Sequence, residues 1–98
     1  MYGTIARLHP NPDRLEELIA FGQEMVSGAR PAGYRASYLF QPDENPYDRP
    51  TMFLVAVFDD EASYRANADS PEQDAIYRRL RALLVDDPDW TDGTFRGE

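Results

Sequence analysis

The chain predicts an α+β domain: one four-stranded antiparallel sheet with helices on one face. Three observations predict it. Apolar and turn residues divide the chain into strand, helix, strand, strand, helix, strand. That order interleaves two split β-α-β units. At 98 residues, 42% of them apolar, the chain has room for one domain, residues 1–98, with one modest core.

The elements follow in order. Tyr2 to His9 reads as the first strand and ends at Pro10. Asn11-Pro12-Asp13 is a helix start: Asn11 can cap, Pro12 suits the first helical position, and Asp13 favours the positive helix end. Leu15, Leu18, Ile19, Gly22, Met25 and Val26 form an apolar stripe, and Gly28 is a plausible stop. Arg30 to Gly33 is a turn, and Tyr34 to Gln41 the second strand. Pro42 to Pro50, with three prolines and three acids, is a long polar hairpin loop. Thr51 to Phe58 is apolar on both faces and suits a central strand. Asp59-Asp60-Glu61 opens a short helix to about Asn67. Ser70-Pro71-Glu72-Gln73 opens a longer one with capping-box spacing, and Ile76, Leu80, Leu83 and Leu84 are its stripe. Asp86-Asp87-Pro88 ends it, and Trp90 to Arg96 is the last strand.

Composition narrows the chemistry. There is no cysteine and no lysine, and there is one histidine. Thiolate nucleophiles, Schiff bases and a multi-imidazole zinc site within one chain are therefore excluded. An enzyme built from this chain works with Tyr, Asn, Gln, Arg, Trp, carboxylates and His9. A net charge of -8 argues against nucleic acid and anionic membranes as partners. No apolar run reaches the roughly 18 residues of a spanning helix, and the N-terminus does not read as a signal peptide, so the expected location is the cytoplasm.

Strand alternation sets Tyr2, Thr4, Ala6 and Leu8 against Ile5, Arg7 and His9. It sets Tyr34, Ala36, Tyr38 and Phe40 against Arg35, Ser37 and Leu39, and Met52, Leu54, Ala56 and Phe58 against Phe53, Val55 and Val57. Two helix stripes cover one face only. Pairing of the other face with a second copy, as a homodimer, is the expected way to bury it.

Gly3-Thr4-Ile5-Ala6-Arg7, Arg30-Pro31-Ala32-Gly33-Tyr34, Val57 to Tyr64 and Asn67-Ala68-Asp69-Ser70-Pro71 resemble the antibiotic biosynthesis monooxygenase family. The resemblance implies a ferredoxin-like βαββαβ monomer paired through its sheet into a dimeric α+β barrel. The family includes oxygenases of aromatic anthrones that use neither metal nor flavin, haem-degrading enzymes and quinol oxygenases. The haem-degrading branch places a Trp where this chain has Asn67, a His at Tyr77, and an Asn near Thr4 or Ala6. All three are missing, so no haem is expected. Asn67, Tyr64, Tyr77 and Trp90 suit the anthrone branch, although that branch has a Trp in the short helix and this chain does not.

The implied function is a cofactor-independent monooxygenase of a small anthrone- or quinol-like substrate. The alternative is a non-catalytic dimeric barrel that binds a small hydrophobic molecule. Whether anything is turned over stays open. Candidate catalytic residues are Asn67, Tyr77 and His9: an amide and a phenol to hold a substrate oxygen, and the natural neutral-pH base. Tyr64, Gln73, Tyr38, Arg35 and Trp90 are candidate substrate contacts. Each has a plainer role open to it. Asn67 could be a C-cap, Gln73 a capping-box partner, Tyr64 and Tyr77 core residues, Arg35 a surface ion pair, His9 a strand-end residue and Trp90 a strand anchor. No metal or cofactor is expected. The site is expected in an apolar cavity between sheet and helices.

Overall fold

The computed structural model describes residues 1–28 and 30–97. Its strands are β1 (Tyr2–Leu8), β2 (Tyr34–Phe40), β3 (Met52–Phe58) and β4 (Asp89–Thr94). They form one antiparallel sheet in the order β2-β3-β1-β4. Helices α1 (Leu15–Ser27), α2 (Glu61–Ala68) and α3 (Pro71–Ala82) follow β1 and β3, which gives the ferredoxin-like α+β fold.

Local chemistry starts each helix. Asn11 accepts the amide of Asp13 and opens a 3-10 turn over Pro12–Arg14 that leads into α1. Asp60 caps α2 by accepting the amide of Ser63 at 2.8 Å. Ser70 caps α3 by accepting the amide of Gln73 at 3.1 Å, with Pro71 at the first position. Gly28 ends α1 with extended backbone rather than the left-handed conformation common at helix ends. The left-handed glycine is Gly33, φ 78°, in the turn before β2, where an added Cβ would strike Ser63.

The core lies between the sheet and the helices. Ala6 and Leu8 of β1 and Met52 of β3 meet Leu18 and Phe21 of α1, Leu80 of α3, and Leu83 and Leu84 just beyond it. Leu15, Leu39, Met25, Leu54 and Ile76 flank it. Phe21, absent from the predicted stripe, is buried. The side chain of Val26, placed in that stripe, lies outside the described residues.

One expectation about faces needs correcting. Pairing of β2 with β3 shifts between Tyr34 and Ala36, a bulge at Arg35. The extra residue turns Tyr34 to the helix side, where its ring meets Phe58 edge-on at 5.8 Å. Ala36, Tyr38 and Phe40 stay on the open face with Ile5, Phe53 and Val55. Tyr38 and Phe40 are 61% and 56% exposed there. Two shallow depressions, about 240 and 430 Å³, lie on this face around Ile5 and Thr91. Among the described residues, no helix is long and apolar enough to cross a membrane.

Candidate functional site

The register fixes which β4 side chains meet the helices. Trp90 pairs with Ala6, and Asp92 with Thr4. Ala6 and Thr4 are buried on the helix side, so Trp90 and Asp92 share that side. Three groups of candidates gather near them.

The first is centred on Tyr64. Its ring packs on Tyr2 (centroids 5.5 Å apart) and Phe58 (5.8 Å). Its hydroxyl donates to Asp92 Oδ1 at 2.7 Å. Arg65 Nη1 donates to Asp92 Oδ2 at 3.0 Å, and Nη2 to the Tyr2 hydroxyl at 3.0 Å. Burial, then the bond to the Asp92 carboxylate, push the Tyr64 phenol up to about 12, so it keeps its proton. Burial pushes Asp92 upward too, but the bonds from Tyr64 and Arg65 outweigh it and hold the carboxyl below its ordinary range. Thr4 lies against both and pulls Asp92 the same way. Its one hydroxyl proton goes to the Thr91 carbonyl at 3.2 Å, so Tyr64 and Arg65 carry most of the effect.

The second group is Asn67 with Gln73. Asn67 Nδ2 donates to Gln73 Oε1 at 3.2 Å, across the break between α2 and α3. The Asn67 carbonyl accepts the Ser70 amide (3.0 Å) and hydroxyl (2.7 Å). Asn67 is not the C-cap, which is Asp69; it lies inside α2 without left-handed backbone, its carbonyl bonded to Ser70 and its side chain to Gln73. Half the capping-box pattern is realised: Ser70 caps, while Gln73 turns to Asn67.

The third group is Tyr77 with Trp90, rings tilted with centroids 6.3 Å apart. Gln73 and Tyr77 are one turn apart on α3, which carries the second group towards the third. Trp90 is 43% exposed, so this region is open along the β4 edge rather than sealed.

The remaining candidates lie elsewhere. Tyr38 is on the opposite face of the sheet. Arg35, at the bulge, donates to Asp59 at 3.0 Å in an exposed ion pair. His9 is three residues beyond Ala6, about 10 Å along the strand. Its side chain is only 12% exposed. Its Nδ1 is 2.9 Å from Asp86 Oδ1 and 2.9 Å from Arg49 Nη2, and Arg49 also reaches Asp86 Oδ2 at 2.6 Å. One nitrogen cannot donate to the carboxylate and accept from the guanidinium at once. All three groups are satisfied when His9 donates to Oδ1 and Arg49 to Oδ2. These bonds, that from His9 foremost, hold the Asp86 carboxyl below its ordinary range. They tie the hairpin loop to the end of β1.

Asp92, Arg65, Thr4 and Tyr2 were missed by sequence reasoning. The available signal was alternation: Trp90 and Asp92 are two apart on one strand, as are Tyr2 and Thr4. Among the described residues, no group of three or more His, Cys, Asp or Glu side chains could hold a metal ion.

No curated protein matches the chain. Solved structures do. A conserved protein from Methanosarcina mazei Go1 superposes with TM-score 0.80 at 16% identity, over 97% of this chain and 92% of its own. A Mycobacterium tuberculosis protein gives 0.76 at 21% identity, over 99% and 96%. SnoaB, a cofactor-independent oxygenase from Streptomyces nogalater, gives 0.70 at 19% identity, over 99% and 94%. At such identities the likeness establishes the fold. The family model described as antibiotic biosynthesis monooxygenase matches residues 1–79, most of the chain. The chain belongs to the antibiotic biosynthesis monooxygenase family.

Proposed function

We propose that the protein is a cofactor-independent monooxygenase of a small flat aromatic, anthrone- or quinol-like, held on the helix side of the sheet beside β4. The observation that carries this reading is the grouping of aromatic and polar side chains at one edge. Tyr77 and Trp90 offer ring faces, Asn67 and Gln73 offer amides, and Tyr64 with Asp92 offers a phenol and a carboxylate. Family membership and the fold shared with an oxygenase support it.

The chemistry asks for little else. An anthrone methylene and dioxygen give a quinone carbonyl and water: two C–H bonds break, one C=O forms, and the second oxygen leaves as water. Oxygen is the only oxidant and no outside reductant is needed. The protein must stack the ring, remove a proton to create the electron-rich anion, and bond the developing oxyanion. Tyr77 and Trp90 would do the first. The Asn67 amide and the Tyr77 phenol would do the last. His9 is not placed to act as the base at this edge: it lies about 10 Å along the strand from Ala6, the partner of Trp90.

A second reading has an observation of its own. Asn67 is bonded to Gln73, and Tyr64 and Arg65 to Asp92, so these groups are satisfied without a substrate. That suits a barrel which binds a hydrophobic molecule and does no chemistry. Oxygen uptake with an anthrone and no added cofactor separates the two. The parent should consume one dioxygen per quinone, faster than spontaneous oxidation, and an Asn67→Ala, Tyr77→Phe variant should keep its circular dichroism and lose the acceleration. Binding without acceleration would leave the second reading. Equal turnover by the variant would remove the site assignment.

A further inference from the structure

Asp92 stands out among the side chains at this edge. Alternation along β4 puts it on the same face as Trp90, about 6.5–7 Å away. That is close enough for one fused-ring ligand to lie on the indole and reach the carboxylate. The Asp92 side chain is 29% exposed, so a ligand can reach it. A carboxylate has about four acceptor positions. Tyr64 and Arg65 take one each.

The hydrogens of Tyr64 and Thr4 are committed, while the Tyr2 hydroxyl accepts from Arg65. The Tyr64 proton goes to Asp92, and the Thr4 proton to the Thr91 carbonyl. Arg65 is shared between Asp92 (3.0 Å) and Glu61 (3.5 Å), two carboxylates for one guanidinium. What Asp92 itself still offers a ligand is acceptor lone pairs, in a net negative surrounding of two carboxylates and one guanidinium. Such a corner calls for a donor and disfavours an anion.

We propose that Asp92 determines ligand specificity: its carboxylate accepts a hydrogen bond from the hydroxyl of a neutral, flat aromatic stacked at Trp90, and turns away carboxylated analogues. This rests on the helix-side site proposed above. The plainer role of Asp92 is a tether for α2, a helix with no buried residue. A tether alone would not sort ligands by their hydroxyl.

Trp90 is the only tryptophan, so its indole N–H gives one resolved NMR signal. The test titrates the full chain with β-naphthol, its methyl ether and naphthoate, following that signal. The parent should bind naphthol about tenfold more tightly than the ether, the worth of a hydrogen bond to a charged group, and naphthoate most weakly. In Asp92→Asn the gap between naphthol and ether should shrink to about threefold or less, and naphthoate should gain affinity. If that variant does not fold, the ranking of the three ligands by the parent decides. Equal affinities for all three in the parent, or an undiminished gap between naphthol and ether in Asp92→Asn, would overturn the role of Asp92 and leave the site standing. No shift of the indole signal with any of them would remove the site, and this inference with it.

Discussion

Replacing Tyr64 by Phe isolates one hydroxyl. The ring contacts with Tyr2 and Phe58 survive, and the 2.7 Å bond to Asp92 is lost. In the parent, burial and then the Asp92 bond raise the phenol from 10.0 to about 12. A group whose folded value is raised stabilises fully below its unfolded value and loses that contribution as pH climbs through the folded one. The window is therefore about pH 10 to about 12. Without screening, that interval is worth about 2.7 kcal/mol. Tyr64 is only part-buried, so the screened figure is about 1 kcal/mol. In a domain of this size that is roughly 4–8 °C in Tm. Urea unfolding of parent and variant from about pH 9 to about 12 reads it directly. The parent should be more stable by about 1 kcal/mol at pH 9 and lose that lead by pH 12. Absorbance difference between the two proteins reports the ionisation of Tyr64 apart from the other five tyrosines. Parallel stability curves, or a Tyr64 that ionises near pH 10, would refute the reasoning.

The remaining predictions are briefer. Leu18→Ala, at a fully buried core position, should cost about 2–5 kcal/mol by urea unfolding; a loss under 1 kcal/mol would mean the core between α1 and the sheet is not as described. The open face should pair two copies, so sedimentation at micromolar concentration should give twice 11.2 kDa for the parent. Tyr38→Glu with Phe40→Glu should then give a folded monomer, and a parent sedimenting as a single chain would end the idea. Purified protein should show no Soret band and no flavin spectrum after gel filtration; either one would contradict the cofactor-free reading.

Helix starts were legible because capping is local. Asn11, Asp60 and Ser70 each accept an amide two or three residues ahead, and residue type with spacing is the whole signal. The two-faced apolar pattern of Met52 to Phe58 likewise marked a central strand. The bulge at Arg35 was not legible. Strict alternation put Tyr34 with Tyr38, and one extra residue in the pairing sends it to the other side. Phe21 escaped for a related reason: α1 buries a wider arc than the chosen stripe.

For the site, the sequence named residue types and some neighbours. Gln73 and Tyr77 one turn apart, and Asn67 at a helix break, follow from helical geometry alone. What each side chain bonds came from the tertiary structure. Tyr64 finds Asp92 28 residues away, and His9 finds Asp86 77 residues away. Such partners depend on strand order and register, which the pairing of β1 with β3 and β4 decides. The sequence by itself determined the order of elements, the helix caps and an apolar surplus on the sheet, because these are set by backbone geometry within a few residues. Which strand face meets the helices, which candidates share an edge, and that Tyr64 and Arg65 bond Asp92 were decided only when the sheet assembled, since those contacts join segments whose relative placement no local rule encodes.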